Sequence, residues 1–357
     1  MPQENTSRPA EPNEPNDPNG PNEPNEPAEP NDPSAAFVPR AFLRGGHVQT
    51  LAAALLPRRH SLPPAEERLF NVEAGVADIQ VLCHCHWQVE RRAAATLVLL
   101  HGLEGSSAAQ YVLGTADKAW AAGMNVVRMN MRNCGGTERL APTLYHSGLS
   151  ADLDAVVREL IAEDKLPRIF LAGFSMGGNI TLKLVGEWGG EAPLEVRAVA
   201  AVSPAIDLAA CSDALHRPGN RLYEWNFLWG LKRRLRTKAR LFPGRYETRG
   251  LRRLGSVRAF DDRVTARYCG FTGADDYYAR SSASRVLERI ARPTLILHAL
   301  DDPFVSLTAE TRARLAANPQ IRLIETAGGG HCAFLAPANG YDGRWAERRV
   351  VEFFSAF

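Results

Sequence analysis

The 357-residue sequence has no apolar run approaching the roughly 18 residues that a membrane span requires, and nothing near its start resembles a secretory leader. A cytoplasmic protein, at most peripheral to a membrane, is therefore expected. Cysteine is scarce. The six present (Cys83, Cys85, Cys134, Cys211, Cys269 and Cys332) form no disulfide framework, which fits a reducing compartment. Internal repeats are lacking from the body of the chain. Net charge is only +2, and that balance conceals two unequal parts. Residues 1–34 carry eight acidic side chains against one arginine, a net −7, which leaves +9 for residues 35–357. Between Pro9 and Pro33 a proline falls at every third position and no apolar residue exceeds alanine in size. Such a segment cannot bury enough surface to offset its ordering entropy, so an extended, solvated tail is expected there.

What is present from residue 65 onward is an alternation of strand and helix patterns. Glu67–Val72 and Ile79–Trp87 read as an antiparallel edge pair. Thr96–Leu100, Asn125–Asn130, Arg168–Phe174, Val196–Ser203, Thr294–Leu300 and Ile321–Glu325 read as strands buried on both faces. Helical patterns fall near 107–122, 148–164, 176–188, 307–317 and 341–355. This rhythm predicts an α/β fold in residues 35–357, a mostly parallel central sheet flanked by helices. It breaks once, between Pro204 and Pro293, where a helical cap at about 205–290 is expected.

Gly173-Phe174-Ser175-Met176-Gly177 lies at one strand-to-helix junction. A serine hydroxyl is a weak nucleophile, and a tight turn of this kind exposes it beside a base and backbone N–H donors. Downstream, one strand ends in Asp301-Asp302 and the next runs into Gly328-Gly329-Gly330-His331. The order Ser, Asp, His is that of the α/β-hydrolase triad and of neither other common serine architecture. Upstream, His101-Gly102-Leu103-Glu104-Gly105 follows a strand where a second oxyanion donor is expected. Ser175 is thus the expected nucleophile, His331 the base and Asp302 the acid. The backbone N–H groups of Met176 and Leu103 are the expected oxyanion hole. Of the adjacent carboxylates Asp302 is chosen because Pro303-Phe304-Val305 follows it as a short apolar turn, while Asp301 is expected to brace that turn.

Other features attract plainer readings. Cys83-His84-Cys85-His86 has metal-ligand residue types, but strand alternation sends the cysteines to one face and the histidines to the other, so no metal is expected. His101 is expected to shape the oxyanion loop, His298 to be a satisfied core histidine, and Cys332 to pack. Lys232, Arg233, Arg234, Arg236, Lys238, Arg240 and Arg245 occur with no acidic residue between Glu224 and Glu247. The segment 225–246 could lie on an anionic membrane. A cap helix with a solvated basic face is the preferred reading, and with no recognised module beside it no nucleic-acid partner is expected.

Phe174-Ser175-Met176-Gly177-Gly178-Asn179, Gly46-His47-Val48-Gln49-Thr50, His101-Gly102-Leu103-Glu104-Gly105-Ser106, Tyr145-His146-Ser147-Gly148, Asp276-Tyr277-Tyr278, Asp301-Asp302-Pro303-Phe304 and Gly329-Gly330-His331 together resemble the YheT-like family of α/β-hydrolases. That family also includes the α/β-hydrolase-domain lipases of animals. The resemblance runs from about residue 40 to the C-terminus and implies an esterase or lipase that acts on acyl esters without a cofactor. Arg132-Asn133-Cys134-Gly135-Gly136 departs from the Arg-Gly-Cys-Ser-Gly of many relatives, and this loop is expected near the pocket. The leading functional expectation is a carboxylesterase acting on a small-molecule acyl ester through an acyl-enzyme. The alternatives are a thioesterase or amidase with the same triad, and a non-catalytic binding or membrane-docking protein on a hydrolase fold.

Overall fold

The computed structural model describes residues 37–73 and 79–357. The tail expected at 1–34 lies outside them. Eight strands form one sheet in the order β1-β2-β4-β3-β5-β6-β7-β8. Their bounds are β1 Glu66–Asn71, β2 Gln80–His86, β3 Thr96–Leu100, β4 Asn125–Met129, β5 Ile169–Phe174, β6 Val196–Val202, β7 Thr294–Ala299 and β8 Ile321–Thr326. β1 and β2 pair antiparallel and β2 meets β4 antiparallel, while every pairing from β4 through β8 is parallel.

Strands β3, β4 and β5 are buried along their whole length because helices cover both faces. One apolar cluster contains Val98, Leu171 and Val199 together with Leu153, Val156 and Ile180. The other contains Leu97, Phe170 and Ala198 with Val112, Val350 and Phe354, and the rings of Phe170 and Phe354 stack at 4.8 Å. Along β3 to β7 adjacent apolar residues alternate between the two clusters, as the pleat requires. The helices supplying them include α2 (Gln110–Ala121), α3 (Ser150–Ala162) and α4 (Met176–Trp188).

A helix that the sequence pattern did not suggest, α1 (Gly46–Leu55), precedes the sheet. Between β6 and β7 the chain is helical, with α5 (Leu208–Leu215), the long α6 (Arg221–Leu241) and several short turns, and no strand lies there. Leu228, Leu231 and Leu235 recur along α6 and are buried against the body. Arg234 and Lys238 are also buried, contrary to the expected solvated basic face. Arg234 pairs with Glu104 and Glu138, and Lys238 donates to Asn133 Oδ1 at 2.9 Å and to the Glu138 carbonyl at 3.0 Å. These cations fasten α6 to the loops beneath it. Asn133 has φ 64° and supplies one of those acceptors. The 132–136 loop therefore anchors the cap and lines neither cavity described below.

Candidate active site

β5 delivers the chain to Ser175 and α4 begins at the next residue. The turn is tight enough that Ser175 adopts φ 54°, a strained value for a residue with a side chain. Close packing makes Gly177 obligatory, since a Cβ there would sit 2.3 Å from the His101 carbonyl oxygen. The Met176 N–H occupies the first turn of α4, where no preceding carbonyl can accept it, at the positive end of the helix dipole. Leu103 faces the same space from the loop after β3, and Ser175, Met176 and Leu103 line one cavity of about 110 Å³.

The loop after β3 is held by two groups beneath it. The Met131 N–H donates to His101 Nε2 at 3.1 Å, so the ring proton lies on Nδ1 and is given to the Gly102 carbonyl at 2.7 Å. Burial lowers the His101 pKa to about 4. A neutral imidazole bonded at both nitrogens shapes the loop and has no free lone pair with which to act as a base. The Gly102 N–H donates to Tyr111 OH at 2.9 Å, a contact that no sequence motif announces.

At the C-terminal end of β7, the Asp302 carboxylate divides its oxygens. Oδ1 accepts the N–H groups of Phe304 and Val305 at 3.1 and 2.9 Å, and Oδ2 accepts from His331 Nδ1 at 2.8 Å. Asp301 turns the other way and accepts the Gly330 N–H at 2.8 Å, bracing the loop that carries the histidine. Burial acts to lower the His331 pKa, but the Asp302 carboxylate and the adjacent Cys332 outweigh it and raise it to about 10. Cys332 packs on the apolar core and also lines the cleft beside His331, so it borders the site as well as packing.

His331 lines a second, larger cleft of about 550 Å³, whereas Ser175 lines the first. Phe227 and Phe304 line both, with the Phe304 ring 4.3 Å from the His331 ring. Among the described residues His331 bonds Asp302 through Nδ1, and no hydrogen bond joins it to Ser175 Oγ. Such bonds are often loose in an unliganded enzyme and tighten when substrate binds.

The Gly46–Thr50 motif, opaque in the sequence, has a task at nearly every position. A Cβ on Gly46 would lie 1.7 Å from the Asp301 carbonyl oxygen, so α1 packs directly on the loop that carries Asp301 and Asp302. His47 Nδ1 meets Tyr223 OH of α6 at 3.2 Å. Gln49, fully buried, accepts the Leu335 N–H at 2.7 Å and donates back to the Leu335 carbonyl. Thr50 Oγ1 accepts the His331 N–H at 2.9 Å. The segment clamps both sides of the histidine loop.

A family model described as the alpha/beta hydrolase fold matches residues 95–337. YheT of Escherichia coli (strain K12), which carries an esterase name, is 31% identical over 326 residues, covering 91% of this chain and 94% of its own. The chain belongs to the YheT-like α/β-hydrolases. A phospholipase of Mus musculus, ABHD3, is 32% identical over 250 residues, and the match spans 70% of this YheT-like chain but 60% of the phospholipase. An esterase from Pyrococcus furiosus shares the fold, with a TM-score of 0.54, 18% identity, and coverage of 84% of this chain and 98% of that one.

The remaining motifs of this YheT-like hydrolase form scaffold. Asn179 donates to the Ser147 and Ser281 carbonyls at 3.1 and 2.8 Å and accepts the Ala283 N–H, tying α4 to the cap. Tyr145 OH donates to Glu104 at 2.6 Å. His84 contacts Ser107 and His86 contacts Arg128, while Cys83 and Cys85 lie in the apolar core on the opposite face of β2. His298 requires a correction. It is buried in β7, but its Nδ1 has no hydrogen-bond partner among the described residues, so it is not the satisfied core histidine expected; burial lowers its pKa and keeps it neutral. Among the described residues no helix is long and apolar enough to cross a membrane.

Proposed function

We propose that this chain hydrolyses carboxylic esters through Ser175, His331 and Asp302. The observation that carries the reading is the 2.8 Å contact from Asp302 to His331 Nδ1, which leaves Nε2 as the only ring nitrogen available to a serine proton. Ser175 Oγ attacks the acyl carbonyl while Nε2 takes its proton. The N–H groups of Met176 and Leu103 bind the oxygen as it becomes negative, in a site where water is displaced by the substrate. Collapse of the tetrahedral intermediate expels the alcohol oxygen, which takes the proton from His331 and leaves an acyl-serine. Water then repeats the sequence, giving its proton to His331, and the acid departs. The esterase, phospholipase and monoacylglycerol lipase names of relatives support an oxygen-ester substrate over the thioesters or amides that the same residues could cleave.

Ser175→Ala is expected to lower kcat by about 10⁴ to 10⁶ while leaving the melting temperature nearly unchanged, because the hydroxyl does chemistry and little packing. Covalent labelling of the unaltered protein by a fluorophosphonate, lost in that variant, accompanies this result. Retained turnover in Ser175→Ala would show that another residue is the nucleophile. An unlabelled, inactive parent protein would favour a non-catalytic binder.

A further inference from the structure

The two compartments around Ser175 separate the two halves of an ester. In the attack on a bound carbonyl, the carbonyl oxygen must lie on the oxyanion donors and the leaving oxygen must face the imidazole that protonates it. The donors Leu103 and Met176 line the inner cavity of about 110 Å³, and His331 lines the outer cleft of about 550 Å³. Phe227 and Phe304 stand between the two and border both. Resting on the ester-hydrolase reading, we infer that the acyl chain occupies the inner cavity and the alcohol the outer cleft, so that the substrate class is a short-chain acyl ester of a long or bulky apolar alcohol.

The inner cavity limits the acyl chain by its size and by the polar groups in its wall. Its walls include Leu208, Leu215, Leu231 and Val257, which suit a few methylenes. Part of the wall is polar. Asp261 is buried there, with one carboxylate oxygen accepting from Thr265 at 2.7 Å and the other from Tyr278 at 2.8 Å. Asp261–Ala266 form a π-helical turn, an uncommon geometry, and Asp261 and Thr265 of this turn line the cavity. An alkyl chain that fills the cavity would have to press on these bonded groups and could offer them no hydrogen bond in exchange. The outer cleft is larger and carries Arg344 and Glu347 as well as apolar residues in its lining. It falls in the size range of ordinary ligand sites, and Leu51, Ala53, Ala54, Leu222 and Phe227 supply the apolar part of that lining.

Octyl acetate and ethyl octanoate are isomers of equal size that differ in which half is long, and they test the assignment with the unaltered full-length protein. Octyl acetate is expected to have the higher kcat/KM by at least about tenfold, since a single misfitted methylene in an apolar pocket is already worth roughly 10- to 200-fold. Equal rates, a preference for ethyl octanoate, or turnover of p-nitrophenyl acetate with neither isomer cleaved would each overturn it. Failure to cleave p-nitrophenyl acetate, with no fluorophosphonate adduct on Ser175, would instead overturn the ester-hydrolase reading beneath it. Leu231→Ala, which enlarges the inner cavity, is expected to raise ethyl octanoate relative to octyl acetate. A shift in the opposite direction would reverse the assignment of the compartments.

Discussion

Asp301 and Asp302 are adjacent and chemically identical, yet one braces a loop and the other faces an imidazole. The division follows from the chain leaving β7, where successive side chains diverge, and from the turn at Pro303 that brings two N–H groups onto Asp302 Oδ1. Asp302→Asn is expected to lower kcat by about 10⁴ at neutral pH, because an amide can hold the wrong imidazole tautomer. Asp301→Asn, whose bond goes to a backbone N–H, is expected to cost far less. The pH profile carries a second signature. Burial opposes the charged His331 ring, but Asp302 and Cys332 outweigh it and place the pKa above the usual 6.5, at about 10. Only the neutral ring accepts the serine proton, so kcat/KM is expected to rise with pH along a limb lying above 6.5. In Asp302→Asn the carboxylate is gone while burial remains, and the limb is expected to move to lower pH. A limb that stays fixed between the two proteins would disconnect the carboxylate from the base.

α1 is the element whose contribution the linear pattern concealed. Two of its side chains reach nearly three hundred residues along the sequence, Gln49 to Leu335 and Thr50 to His331, and convert an irregular loop into a fixed support for His331. Thr50→Val removes the acceptor for the His331 N–H with little change of shape. It is expected to lower kcat by roughly ten- to a hundredfold, as displacements of about 1 Å in a catalytic group can do. Thr50→Ser keeps the oxygen and is expected to retain most activity, a rescue that steric packing alone would not produce. Loss of activity in both variants, or in neither, would remove the positioning role.

For the whole molecule, the basic run of α6 divides by orientation. Arg234 and Lys238 turn inward to acceptors on the sheet side, and Lys232 donates to the Leu254 carbonyl. Trp225, Trp229 and Arg233 recur every fourth residue on the outer face, continued by Leu222, and all four are exposed. A membrane contact of this segment is proposed for that stripe alone, near the outer cleft that Leu222 also lines. Co-sedimentation with liposomes is expected to need anionic lipid and to weaken with salt, because Arg233 and the other exposed cations Arg240 and Arg245 supply the attraction. Equal sedimentation with neutral vesicles, or none with either, would leave α6 as a packed cap helix only.

The sequence by itself determined the alternation of strands and helices, the break filled by the cap, and the strand-end positions of Ser175, Asp302 and His331. Those features depend on periodicity and on residues within a turn of one another, which a linear pattern records. The strand alternation of Cys83 to His86 was legible for the same reason. Tertiary structure alone decided why Gly46 must lack a side chain, which cations of α6 turn inward, that His298 Nδ1 finds no partner among the described residues, and that Phe304 stands between two unequal compartments. Each of these depends on surfaces brought together from distant parts of the chain, and the energy of such a contact belongs to a pair of positions that no local window contains.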